Sequence, residues 1–291
     1  MSIIDIDLYR DWITQLKSEL SAYGYDTNQM QMSEVVAHTY LNLIKRLIKP
    51  VPRIVLKAQN FSCPPDLITG LTEIERKITC GEDLSSHLSR LLRKPTYNDP
   101  LLNDWGIHHI HLGATTDSDG FVKRTGSVLF VRFDNTNAYL IDVLSHGSWS
   151  QQRLVKELHD NWPDSIKHFR LNGVLGQATT FTDKDVAALR KANVNTVVDL
   201  GGGVIYAPIG GGFSTSGIST EVVIRSDRCT MQLHKMQETI IDNIDSIARA
   251  AKEQGANFPD SPRFELQFDG GNLYAVEVNS MVTIPLGSLA L

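Results

Sequence analysis

The chain has 291 residues, 42% of them hydrophobic, and 28 Lys and Arg against 33 Asp and Glu give a formal charge of -5 at pH 7. This composition excludes disorder as the default state and gives no global attraction to nucleic acid or to an anionic membrane, so a polyanion would have to meet a local basic patch. Cys63, Cys80 and Cys229 are widely spaced and odd in number, which argues against a disulfide framework or a CxxC zinc site and for reduced thiols.

Residues 1–100 read as helical. Val35, Val36, Leu43, Ile44, Leu47 and Ile48 recur at helical spacing between Ser33 and Pro50. Pro64-Pro65 opens a second helical stretch through Ile74 and Ile78, and Ser85 to Leu92 a third, short one. The basic residues Arg90, Arg93 and Lys94 follow, and Asn98-Asp99-Pro100 marks a turn. No apolar run approaches the roughly 20 residues that span a bilayer, and the N-terminus lacks a basic segment followed by an apolar core. A cytoplasmic protein with no membrane partner is the expectation.

From Trp105 the pattern alternates. Ser127 to Phe133 and Ala138 to Leu144 are apolar runs joined by Asp134-Asn-Thr-Asn137, the composition of a hairpin loop. A helix from Gln151 to Asn161, with Leu154, Val155 and Leu158 on one face, would cover one side of that sheet. A further unit is expected to begin near Leu175. There Thr182-Asp-Lys-Asp185 has the form of a capping box, and Gly201-Gly202-Gly203 separates two short strands. A long helix is predicted over 227–254 with Gly255 at its C-terminal end, and Phe264 to Phe268, Asp269-Gly270 and Leu273 to Val278 form the strongest hairpin signal. The expected fold is therefore α+β: a helical N-terminal region (1–100), an antiparallel-sheet core carrying a histidine cluster (101–174), and a C-terminal αβ unit with hairpins and one long helix (175–291).

The chemistry concentrates in Trp105-Gly-Ile-His108-His109-Ile-His111. On a strand, His109 and His111 share a face and His108 takes the other, turned inward. His146 closes the second apolar run and would approach the pair. Three imidazoles in this arrangement suit an open zinc site with water as fourth ligand. They equally suit metal-free phosphodiester cleavage, in which one imidazole takes a proton from a ribose hydroxyl, another protonates the leaving oxygen, and Arg124, Arg132 or Lys123 neutralises the phosphorane. Arg90, Arg93 and Lys94 would add a basic rim. The second glycine run, Gly210-Gly211-Gly212 through Gly217, lacks the Lys of a P-loop, and Thr220 to Arg225 reads as extended, so a nucleotide-triphosphatase site is excluded.

The strand Val128 to Phe133, the turn, and Tyr139 to Val143 ending in Ser145-His146-Gly147 resemble the C-terminal sheet of the RelE/ParE-type toxin ribonuclease superfamily, over about residues 105–163. The resemblance implies a small antiparallel sheet packed on helices and metal-independent mRNA cleavage, with Arg132 as the strand arginine and His146 as the residue closing the next strand. The chain is about three times the usual toxin length and acidic where those proteins are basic. The resulting expectation is a metal-independent ribonuclease with His109, His111, His146, Arg132 and Arg124 as catalytic residues and RNA as partner, needing no cofactor. The alternatives are a zinc-dependent hydrolase using His109, His111 and His146, and a non-catalytic protein that binds or assembles with a protein partner.

Overall fold

The computed structural model describes residues 4–174 and 176–289. Leu175, the expected start of the C-terminal unit, lies outside them. The class is α+β, and the chain forms two compact units, one of Met1–Leu41 with Val222–Leu291 and the other of Asn42–Glu221. These boundaries do not coincide with breaks near residues 100 and 175, because the segments at both ends of the chain pack together.

Helix α1 (Leu8–Ala22) buries Leu8, Trp12, Ile13, Leu16 and Leu20, a single stripe at helical spacing, and the Asp7 carboxylate caps it by accepting from Arg10 N. Helix α2 (Ser33–Arg46) follows, and the division between units falls within it.

In the second unit, β1 (Ile54–Lys57) comes after α2, then α3 (Ile68–Cys80), two short 3-10 turns at Ser85–His87 and Arg90–Arg93, and α4 (Pro100–Trp105). The short helix expected over 85–92 is thus two separate turns. Next are β2 (His108–His111), β3 (Ser127–Phe133) and β4 (Asn137–Ser145), then α5 (Arg153–Asn161), α6 (Pro163–Ile166), α7 (Asp183–Lys191) and the hairpin of β5 (Val198–Asp199) and β6 (Ile205–Tyr206). The main sheet has the order β1-β4-β3-β2, antiparallel except that β1 joins β4 in parallel. The antiparallel sheet expected over 101–174 is formed by β2, β3 and β4, and β1, from the segment expected to be helical, adds a parallel strand that makes the whole sheet mixed. Ile54-Val55-Leu56 is too short for a helix and, bounded by Pro52, extends instead. Val128, Phe130, Tyr139 and Ile141 on one face pack on Leu154, Val155 and Leu158 of α5 with Trp105 and Ile107. The capping box of α7 is formed as the sequence predicts, Thr182 Oγ1 accepting from Asp185 N and the Asp185 carboxylate from Thr182 N.

The chain re-enters the first unit in α8 (Thr220–Asp242), followed by α9 (Ile244–Glu253) and a three-stranded antiparallel sheet of β7 (Phe264–Asp269), β8 (Asn272–Glu277) and β9 (Thr283–Gly287). Two expectations change here. The segment from Thr220 is helical, not extended, and the predicted long helix breaks at Asn243. The β7–β8 hairpin is as predicted, and β9 adds a third strand. Leu266 N donates to Asp11 Oδ2 and Leu8 N to Gln237 Oε1, fastening α1 to β7 and α8 within this unit. No helix among the described residues is long and apolar enough to cross a membrane.

Candidate functional site

Among the described residues strand β2 lies at the edge of the main sheet, paired with β3, with His109 opposite Phe130 and His111 opposite Val128. The alternation thus places His109 and His111 on one face, their ring centres 6.2 Å apart. The backbone N–H of His146, just beyond β4, donates to Gly126 O, and its ring stacks on His111 at 5.9 Å. Trp149, three residues further, packs against both His109 (4.5 Å) and His146 (4.8 Å) and so braces the two imidazoles.

His109, His146 and Trp149 line a cavity of about 380 Å³ together with Asp99 and Arg124. His111 is 3% exposed and stands behind His146 instead of lining the cavity. Arg132 is not part of it. It shares the face of Phe130, but at the far end of β3: Ser127 pairs with Ser145 beside His146, and five residues at roughly 3.4 Å each carry Arg132 on the order of 17 Å along the ladder. Its guanidinium is buried over the Phe169 ring and beside Gly106. The two residues carried over from the toxin resemblance therefore sit at opposite ends of the hairpin, and Arg124, in the connection leading into β3, is the arginine that reaches the cavity. The basic rim is also changed, because Arg90 is held by Asp117 and Asp119, and Arg93 donates to Asp119 O.

Asp99 is the residue the sequence pattern does not single out. Read as a turn, Asp99-Pro100 is also the signature of an N-cap before Pro at the first helical position. Its Oδ1 accepts from Leu101 N and Leu102 N, capping α4, while Oδ2 lies 3.7 Å from His109 Nδ1. That separation suits an ion pair with a protonated ring and exceeds a direct hydrogen bond.

Burial dominates the protonation of the three β2 histidines. It lowers His109 below the ordinary imidazole value, with Asp99 pulling the other way and the His146 and Arg124 charges adding to the decrease. Burial takes His111 down to about 4, helped by His109, Arg124 and His146. His108, on the opposite face against the Phe133 ring, also falls to about 4 through burial, and neither of its ring nitrogens has a hydrogen-bond partner among the described residues. His109 and His111 are accordingly neutral at pH 7.

Two imidazoles on one tetrahedral zinc bring their ring centres to about 5 Å, given Zn–N bonds of roughly 2.0–2.1 Å. The observed separations are longer, and among the described residues no three His, Cys, Asp or Glu side chains are grouped so that they could hold a metal ion. The three-imidazole zinc arrangement is not formed.

The second glycine run has a packing role. Gly210 N donates to Asp104 O and Gly212 N to Asn103 O, bringing this loop against the end of α4, and a Cβ on Gly210 would overlap Leu102 O. Close backbone approach explains the glycine there.

No protein-family model, curated protein or solved structure matches the chain. The functional reading therefore rests on the geometry of the cavity.

Proposed function

We propose that the protein is a metal-independent ribonuclease whose active site is the cavity bounded by His109, His146 and Arg124. The observation that carries this reading is that two imidazoles, held apart by Trp149, face one cavity with an arginine beside them and a carboxylate behind one ring. His109, kept neutral by burial and held against the Trp149 ring with the Asp99 carboxylate 3.7 Å from Nδ1, takes the proton of a ribose 2'-hydroxyl on Nε2. The 2'-oxygen attacks phosphorus, the bond to the 5'-oxygen breaks, and protonated His146 gives that oxygen its proton. The products are a 2',3'-cyclic phosphate and a 5'-hydroxyl. Arg124 neutralises the charge that builds on the phosphorane. His111 supports His146 by stacking, and Arg132 has no part in the reaction.

The test is cleavage of a fluorescent RNA oligonucleotide by the full chain, with and without chelator, beside the same sequence carrying 2'-deoxyribose. Cleavage should survive chelation, spare the deoxy substrate and fall by about 10²-fold or more in His109→Ala and in His146→Ala. Cleavage that persists in the His109→Ala/His146→Ala double variant would overturn the assignment. A folded wild-type chain that leaves RNA intact would favour the non-catalytic binding protein.

A further inference from the structure

The same cavity carries information about what it holds when no bond is being broken. Its volume of about 380 Å³ lies near the lower end of the roughly 300–1,000 Å³ typical of small-molecule sites, room for one nucleotide and not for a strand. Tyr97 and Trp149 contribute aromatic rings, and Leu91, Pro100 and Leu101 apolar surface. Leu101 is buried and Leu91, Tyr97 and Trp149 are half-buried, whereas Pro100, Arg124 and Lys191 are exposed, so the two rings are less accessible to solvent than the two cations. Arg190 also lines the cavity, but it contributes little free charge: its Nε and Nη2 both donate to Asp104 Oδ2, at 2.9 and 2.7 Å, and its guanidinium lies over the Trp105 ring. Arg124 and Lys191 have no ion-pair partner among the described residues, so beyond the Arg190–Asp104 pair the cavity sets two cations against the single carboxylate of Asp99. Two half-buried aromatic rings and two exposed cations lining one cavity suit a planar ring joined to a phosphate.

We infer that this cavity is a mononucleotide site, taking one base against Tyr97 and Trp149 and its phosphate at Arg124 and Lys191. The inference rests on the ribonuclease reading for its choice of nucleotide and extends it: the enzyme would grip one nucleotide of its substrate in a dedicated pocket and bind 3'-nucleotides as free ligands. The remaining strand would lie outside.

The test is a tryptophan-fluorescence titration of the full chain with adenosine 3'-monophosphate, inorganic phosphate, ribose 5-phosphate and adenosine. Saturable quenching by the nucleotide, at least tenfold tighter than by any of the other three, supports the site. Arg124→Ala should weaken nucleotide binding tenfold or more, and Trp149→Phe should remove most of the quench while binding followed by calorimetry is weakened but retained. Phosphate binding as tightly as the nucleotide would reduce the cavity to an anion site and overturn the inference. So would nucleotide binding indifferent to Arg124→Ala, or no saturable binding at millimolar ligand. RNA cleavage is measured on the same preparations. Nucleotide binding without cleavage sustains the site and removes the ribonuclease; cleavage without nucleotide binding does the reverse.

Discussion

Asp99 uses its two carboxylate oxygens on two different elements: Oδ1 caps α4 through Leu101 N and Leu102 N, and Oδ2 faces His109 Nδ1 at 3.7 Å. Asp99→Asn keeps an oxygen for the cap and removes the charge, so helix stability should be nearly unchanged. Asp99 raises the His109 value against burial, and its neutralisation should lower that value further. The acidic limb of the RNA-cleavage profile should then move to lower pH while the plateau rate falls. Asp99→Ala should lose the cap as well, at a cost of about 1 kcal/mol. An NMR titration of His109 in the asparagine variant checks the coupling, and an unmoved imidazole would refute it.

Stability should fall on mild acidification. His108 and His111 have folded values of about 4 against an ordinary 6.5, so between those two pH values the unfolded chain binds protons that the folded chain refuses. The stabilisation is complete above about pH 6.5 and is lost as pH falls toward about 4, up to roughly 3 kcal/mol for each imidazole. Urea denaturation from pH 7.5 to 4.5 measures the slope. His108→Phe, which preserves a ring against Phe133, should flatten it.

Removing Arg190 should be severe. Its partner Asp104 is 3% exposed and burial already pushes that carboxyl upward against the pull of the guanidinium. Arg190→Met would strand the acid and release Trp149, whose carbonyl Arg190 also donates to, at an expected cost of about 3 to 5 kcal/mol. The double variant Arg190→Met/Asp104→Asn should regain part of that stability in chemical denaturation.

The two glycine runs should respond differently to alanine. Gly210→Ala drives a Cβ into the α4 carbonyls and should cost about 3 kcal/mol. Gly202 has open space around it and only its φ of 60° to constrain it, so Gly202→Ala should cost about 1 kcal/mol. Thermal melts of the two variants compare them directly, and equal losses would contradict the packing role of the second run.

Local patterns carried the sequence reading where the physics was local. The shared face of His109 and His111, the Thr182–Asp185 capping box and the β7–β8 hairpin each follow from a few adjacent residues. Arg132 fails for a reason alternation cannot express: a strand face has length, and residues on the same face can lie at opposite ends of it. Strand β1 was hidden because its pairing depends on β4, some 80 residues away, and not on its own four residues. Thr220 to Arg225 carries β-branched residues that favour extension, yet Val222 is buried on the first turns of α8, where tertiary packing overrides propensity. Asp99 reads as a turn residue, although Asp before Pro is also a capping signal, and its second oxygen acquires meaning only once β2 brings His109 to it.

The unit built from Met1–Leu41 and Val222–Leu291 is discontinuous in sequence, whereas the cavity-bearing unit is one uninterrupted stretch. On the ribosome, where chains emerge at about 5–20 residues per second, the first forty residues would wait some ten seconds or more for the strands and helices they pack against. Throughout that interval the apolar stripe of α1 lacks the cover of α8 and β7, while Asn42–Glu221 can already close around its histidines. Newly made chains should therefore bury the histidine-bearing segment before their own beginning is protected, and the α1 stripe is where a chaperone would find its first purchase.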